Sequence, residues 1–382
     1  MTIPYGRHQI DRADLDAVVD VLENQFLTQG QQVPRFEQAL KEYCGAAHTV
    51  AVNSGTSALH IACLALGLGP DDWLWTSPNS FVASANCGLY CGARVDFVDI
   101  DVKTGNLCLN ALAEKLLQAA RSNRLPKVMV VVHFAGLSCD MQAIQRLTEP
   151  YGIKLIEDAS HALGGTYRDK PVGSCVYSDA CVLSFHPVKS ITTAEGGAVL
   201  TNAPEIARQL RQFASHGITR DPDHMEGESD GPWYYQQVTL GYNYRLSDLH
   251  AALGLSQLSR LNAFIESRSE RAQRYTEALA GLSLRLPGTS SQAKSAWHLY
   301  SIGVEESLRS QIFASLQGKG IGANVHYIPI HLQPYYRRMG FKPGDFPNAE
   351  TFYRQAITLP LFPGLTADEQ TRVIQAVKES LN

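Results

Sequence analysis

The sequence predicts an α/β protein: a large domain with a mostly parallel sheet flanked by helices, then a small C-terminal α/β domain. Three observations carry that expectation. Strand and helix patterns alternate from Val50 to Leu200, the run Lys127–His133 is largely apolar as in a sheet covered on both faces, and 382 residues exceed one ordinary domain. The large domain is expected over residues 1–255, with a helical segment at its start, and residues 256–382 supply a long connecting helix and the small domain.

Asp11 is a plausible cap for a helix to Asn24, in which Leu15, Val18, Val19 and Leu22 recur at helical spacing. A turn, L-T-Q-G at Leu27–Gly30, precedes a second helix over Pro34–Cys44. From Ala51, A-V-N-S-G-T-S-A-L-H reads as a strand turning sharply into an apolar helix. Gly55 permits close backbone approach there, and the amides of Thr56 and Ser57 open the helix toward an anion. A phosphate site and an ordinary capped turn fit this stretch equally well.

Trp73–Ala85 gives a strand, a Ser-Pro break and a helix from near Ser80, with Phe81 at its start, either in the core or covering a planar ligand. Further strands are expected at Arg94–Ile100 and Lys127–His133. The strand Lys154–Glu157 runs into I-E-D-A-S-H-A-L-G, which puts Asp158 at a carboxyl strand end with His161 shortly after it. A carboxylate so placed holds a ring nitrogen protonated or caps a helix; the histidine fixes that carboxylate, faces a ligand or is merely hydrogen-bonded.

Lys189 lies in L-S-F-H-P-V-K-S-I-T-T-A-E-G-G, the connection between the strand runs Ala180–Leu183 and Ala198–Thr201. A desolvated lysine amine suits covalent chemistry with a carbonyl compound, although most loop lysines are solvated charges. Beyond it come a helix at Pro204–Phe213 and an acidic, turn-rich stretch at Asp221–Gly231. One long helix is expected from Ser247 to about Ala280, then alternating strand and helix signals at Leu299–Val304, Ser307–Gly318, Asn324–Pro329 and Ala367–Leu381.

Composition narrows the function. The net charge is -4 and no basic run occurs, which argues against nucleic acid or an acidic membrane surface as partner. Eight scattered cysteines without C-x-x-C spacing read as buried small hydrophobes in a reducing compartment, and no metal site is expected. No stretch approaches the roughly 20 apolar residues of a membrane span, and the amino terminus lacks a signal pattern, so a cytoplasmic protein is expected.

The anion-ready turn at Gly55–Ser57, Phe81, Asp158, Ser184 and Lys189 together meet the needs of pyridoxal 5'-phosphate: a dianion, a flat ring, a basic ring nitrogen and an aldehyde. The motifs L-T-Q-G, N-S-G-T-S-A-L-H, E-D-A-S-H, S-F-H-P-V-K, E-G-G and G-Y-N-Y-R also resemble those of the DegT/DnrJ/StrS nucleotide-sugar aminotransferases, from about Ile3 to Pro363. I-P-Y-G-R-H, P-N-S-F-V-A-S-A-N-C, P-W-Y-Y and H-Y-I-P-I-H-L-Q-P-Y-Y are most similar to the UDP-sugar 4-aminotransferases of pseudaminic acid biosynthesis.

The resemblance implies a fold-type I pyridoxal phosphate-dependent transferase that moves the amino group of L-glutamate to C4 of a UDP-linked 4-keto-6-deoxy-N-acetylhexosamine and releases 2-oxoglutarate. It implies Lys189 as Schiff-base lysine and Asp158 as partner of the ring nitrogen. Thr56, Ser57 and Ser184 are then on the phosphate, Phe81 against the ring and His161 beside the cofactor. Asn243 is expected to reach a phosphate in a neighbouring subunit, which implies a homodimer with shared sites. Tyr5, Thr28, Gln29, His326 and His331 are candidates for sugar-nucleotide contacts by motif position, and the last two read equally well as packed residues. Two departures, Ser190 for a frequent proline and Ala194 for a frequent glycine, bear on loop geometry. The alternatives are a GDP- or dTDP-linked acceptor, a sugar dehydratase, in whose relatives histidine replaces the lysine, and a regulator, for which no spare DNA-binding segment exists.

Overall fold

The computed structural model describes residues 2–381 and centres on a seven-stranded sheet. Its strands are β1 (His48–Val52), β2 (Trp73–Thr76), β3 (Arg94–Phe97), β4 (Val128–Val132), β5 (Lys154–Asp158), β8 (Ala180–Ser184) and β9 (Gly197–Thr201). The short β6 (Thr166–Tyr167) and β7 (Lys170–Pro171) pair separately between β5 and β8. Across the sheet the order is β1-β9-β8-β5-β4-β2-β3. Only β9 runs antiparallel to its neighbours, because a hairpin rather than a helix joins it to β8.

That topology gathers the strand ends. Val132 pairs with Asp158, Asp158 with Val182, and Ser184 with Gly197, which in turn pairs with Val52. The turn after β1, Asp158 and Ser184 therefore share one edge of the sheet, where ligands bind in α/β folds. Helix α3 (Gly55–Ala65) follows β1 and buries nearly every residue, since its alanines, Gly55 and Cys63 let it lie close to the sheet.

Helix α1 (Arg12–Asn24) starts at Asp11 as expected, in a reciprocal capping box with Asp14. Its apolar stripe, however, faces outward: Leu15, Val19 and Leu22 are 52%, 45% and 57% exposed, while Asp14 and Val21 are buried. The reason is polar docking, since the Asp14 carboxylate accepts from Ser256 Oγ and Gln257 Nε2, each at 2.6 Å. Helix α2 (Gln32–Cys44) buries Phe36 and Leu40 completely.

Two expectations for the second half need correction. The long helix is two helices, Asp248–Leu258 and Leu261–Leu279, because Arg260 leaves the helical line to pair with Asp11 at 2.7 Å and with Asp14. The segment Asn324–Pro329 is not a strand: only Asn324 exchanges backbone hydrogen bonds with Thr358, and the following residues turn toward the sheet edge. Strands Tyr300–Gly303 and Ala356–Leu359 pair antiparallel over a core containing Tyr275, Ile312, Ile357 and Val377.

Ile3 joins this second core, pinned by its amide to Gly320 O at 2.8 Å and by its carbonyl to Gly322 N at 2.7 Å. Conversely, Ile330, Tyr336 and Phe352 pack into the core of the large sheet. Among the described residues all eight cysteines are free and no helix is long and apolar enough to cross a membrane.

Candidate active site

A cavity of about 360 Å³ opens at the edge where the strand ends meet. Lys189, Asp158, Ser184, Gly55, Thr56 and Phe81 all line it, from four separate segments. Ser54, in extended conformation, caps α3 by accepting from Ser57 N at 3.0 Å, and Ser57 Oγ donates to Asn53 Oδ1 at 2.6 Å. The Ser57 amide and hydroxyl are thus both engaged within the turn, and among the residues expected at the phosphate Ser57 is not on the cavity wall. The amides of Gly55 and Thr56 belong to the first turn, where a helix offers no internal acceptor and favours an anion.

The β8–β9 hairpin is fixed at its base by Phe185 N to Gly196 O at 2.9 Å and Thr193 N to Phe185 O at 3.0 Å. Gly197 must be glycine, since an added Cβ would stand 2.5 Å from Ser54 O. Ala194 has φ 64, a left-handed conformation costly for alanine, which explains why glycine suits this position in the resembling family. Within the hairpin Lys189 is half-buried. Burial draws its ammonium down to about 8, and the Asp158 charge opposes that shift.

Both Asp158 oxygens are engaged. Oδ2 accepts from Ser84 Oγ at 2.6 Å, and Oδ1 accepts from Ser160 Oγ at 2.6 Å and Ser160 N at 3.2 Å. His161 Nε2 meets Tyr327 Oη at 3.1 Å, and its ring lies 4.3 Å from that of His298. Burial, with the Lys189 and His326 charges adding to it, holds His161 neutral, and its buried Nδ1 has no partner among the described residues.

His326 and Tyr5 also line the cavity, their rings 5.5 Å apart. His326 Nδ1 meets Thr358 Oγ1 at 2.9 Å, and burial lowers its pKa to about 4. Phe81 is 59% exposed, with a free ring face on the cavity wall.

The remaining expected contacts lie elsewhere. Thr28 and Gln29 are exposed on the turn before α2, outside the cavity. Asn243 is exposed and is not on the wall of this chain's cavity. His331 is fully buried, its Nε2 3.0 Å from Glu350 Oε1 and its ring against Phe346, so of its two readings the packed one holds.

These residues fit pyridoxal phosphate on structural grounds. A helix start suits its phosphate, a primary amine its aldehyde, a carboxylate its ring nitrogen and an aromatic face its ring, while an added Cβ at Gly55 would lie 2.9 Å from Ser184 Cβ in the cradle between them. A family model described as the DegT/DnrJ/EryC1/StrS aminotransferase family matches residues 8–378. The chain belongs to that family.

Among the relatives of this DegT/DnrJ/EryC1/StrS aminotransferase is the spore coat polysaccharide biosynthesis protein SpsC of Bacillus subtilis, 38% identical over 99% of this chain and 96% of that one. Another is the UDP-4-amino-4,6-dideoxy-N-acetyl-beta-L-altrosamine transaminase of Campylobacter jejuni, 37% identical over 94% and 92%. The solved structure of Helicobacter pylori PseC, described as an aminotransferase of pseudoaminic acid biosynthesis, superposes with TM-score 0.91 at 33% identity over 100% of this chain and 99% of the other. The fold is accordingly that of a fold-type I pyridoxal phosphate-dependent transferase.

Sequence reasoning missed Ser84, Ser160, Glu195, His298 and Tyr327 on the cavity wall. Ser84, Ser160 and Glu195 lay inside motifs already singled out, so tracing those motifs as strand ends would have found them. His298 carries no such signal. It is delivered by Trp297, which has φ 50, and by the buried Arg268, whose Nη1 donates to the carbonyls of Trp297, His298 and Leu361 at 3.3, 3.3 and 2.9 Å.

Proposed function

We propose that this aminotransferase moves the amino group of L-glutamate to C4 of a UDP-linked 4-keto-6-deoxy-N-acetylhexosamine, giving a UDP-4-amino sugar for pseudaminic acid biosynthesis. The single observation that carries the chemistry is that the depressed Lys189 amine and the doubly held Asp158 carboxylate share one cavity. The sugar assignment is supported by the activity for which the Campylobacter relative is named and by Tyr5 and His326 on the cavity wall.

Pyridoxal phosphate is the cofactor; when bound it supplies an aldehyde that takes up amines and a ring that spreads the charge left by a departing proton. Asp158 keeps the ring nitrogen protonated. Lys189, freed as a neutral amine, takes the proton from Cα of glutamate and returns one at C4 of the sugar. Gly55, Thr56 and Ser184 hold the phosphate, Phe81 covers the ring, and neutral His161 packs beside it. Glutamate is oxidised to 2-oxoglutarate as the ketone becomes an amine, so the exchange balances without another reactant.

A homodimer with shared sites agrees with the outward apolar face of α1, continued by Phe26 at 78% exposure, and with the exposure of Asn243. A cytoplasmic location agrees with eight unpaired thiols among the described residues.

The test is to offer the pyridoxal phosphate-loaded protein glutamate and a panel of UDP-, GDP- and dTDP-linked 4-keto sugars. Release of 2-oxoglutarate and a product mass matching amination of the UDP sugar is expected. Amination of a GDP- or dTDP-linked sugar alone would sink the pathway, and no 2-oxoglutarate with any acceptor would sink transamination itself.

A further inference from the structure

The hydroxyl chain Ser80–Ser84–Asp158 has a fixed direction. An ionised carboxylate only accepts, so the one proton of Ser84 Oγ goes to Asp158 Oδ2 at 2.6 Å. The 2.7 Å contact between Ser80 Oγ and Ser84 Oγ must then be donated by Ser80. Both serines are almost fully buried, at 4% and 1% exposure, and both line the cavity.

Ser84 stands in the first turn of α4 (Ala83–Tyr90), which lacks a side-chain cap. A helical serine ordinarily turns back to a carbonyl in its preceding turn. This one crosses to the neighbouring strand end instead, and Ser160 holds the other carboxylate oxygen from a different segment. The carboxylate is thereby clamped from two sides by short hydrogen bonds, which fix where its oxygens point.

We propose that Ser84, held in turn by Ser80, is a positioning residue that keeps the Asp158 carboxylate aimed at the ring nitrogen of pyridoxal phosphate. The inference rests on the cofactor reading given above. Ser84 acts only through Asp158, so its loss should matter only to ligands that carry a ring nitrogen.

The experiment measures the dissociation constant of the apoprotein for pyridoxal phosphate and for the deaza analogue in which the ring nitrogen is replaced by CH. Ser84→Ala should weaken pyridoxal phosphate about tenfold at neutral pH and change the deaza analogue less than about twofold, while Ser84→Thr restores the wild-type value. Ser80→Ala, which keeps the Ser84–Asp158 contact, should give a loss of about threefold in pyridoxal phosphate alone, and Ser84→Cys covers the case of a misfolded alanine variant. Equal losses for both ligands, or none for either, would overturn the proposal. If wild type binds neither ligand, the cofactor reading fails instead.

Discussion

A methyl group on Gly55 would stand 2.9 Å from Ser184 Cβ and 3.2 Å from its Oγ. The start of α3 and the end of β8 are thus in contact across the place proposed for the phosphate, and neither can retreat, because Ser184 is paired with Gly197 in the sheet. Gly55→Ala should overpack this contact at a cost of about 1–3 kcal/mol and weaken pyridoxal phosphate at least tenfold. Thermal unfolding and cofactor titration check both; a tightly binding alanine variant would place the phosphate elsewhere.

Asp248 is fully buried and far in sequence from α2, yet its Oδ2 accepts from Gly30 N at 2.8 Å and its Oδ1 from Gln32 N at 2.8 Å and Val33 N at 3.3 Å. It caps a helix that begins without a local side-chain cap. Asp248→Ala leaves the buried amide of Gln32 and the half-buried amides of Gly30 and Val33 without that acceptor, so a loss of about 1–3 kcal/mol in denaturant unfolding is expected. Asp248→Asn, which keeps one acceptor oxygen, should lose about half as much.

Asp248 also marks how far the sequence is legible. Lys189, Asp158, Ser184 and Gly55 were readable because each sits beside its own strand end, and parallel topology brings such ends together. His298 was not, because it is placed by backbone geometry at Trp297 and by the buried Arg268, whose carbonyl partners periodicity does not report. The α1 stripe misled in the opposite sense: helical spacing identifies an apolar face but not what covers it, and a buried carboxylate turned that face outward. Ser57 lies off the cavity wall for a local reason, since its hydroxyl is taken up by Asn53.

The two histidines of H-Y-I-P-I-H should separate cleanly. His326 lines the cavity beside Tyr5, whereas His331 lies fully buried against Glu350 and Phe346. His326→Ala should raise KM for the sugar nucleotide about tenfold or more, with a stability loss of about 1–2 kcal/mol from the buried Thr358 hydroxyl it leaves behind. His331→Ala leaves Glu350 buried without this partner and should cost about 2–4 kcal/mol while the KM of the surviving folded protein stays within about twofold. Steady-state kinetics with calorimetry on both variants distinguishes them, and the reverse pattern would return His331 to the substrate.

Lys189 makes the pH dependence of cofactor capture predictable. Burial lowers its ammonium from the usual 10.5 to about 8, so the neutral amine, the form that bonds to an aldehyde, gains population as pH rises toward 8. At pH 7 a side chain with that pKa is neutral in about one molecule in ten, against roughly one in three thousand for an ordinary lysine. Stopped-flow absorbance of pyridoxal phosphate uptake by the apoprotein should therefore climb about tenfold per pH unit below 8 and level off above it. Asp158 opposes the shift, so Asp158→Asn should move the midpoint lower still. The linked effect on stability has a definite sign: between about 8 and 10.5 the unfolded chain binds more protons at this lysine, so its contribution to stability rises with pH across that window. Lys189→Arg should fold but capture no cofactor covalently at any pH, and a wild-type uptake rate still climbing beyond pH 10 would show that burial does not tune this amine.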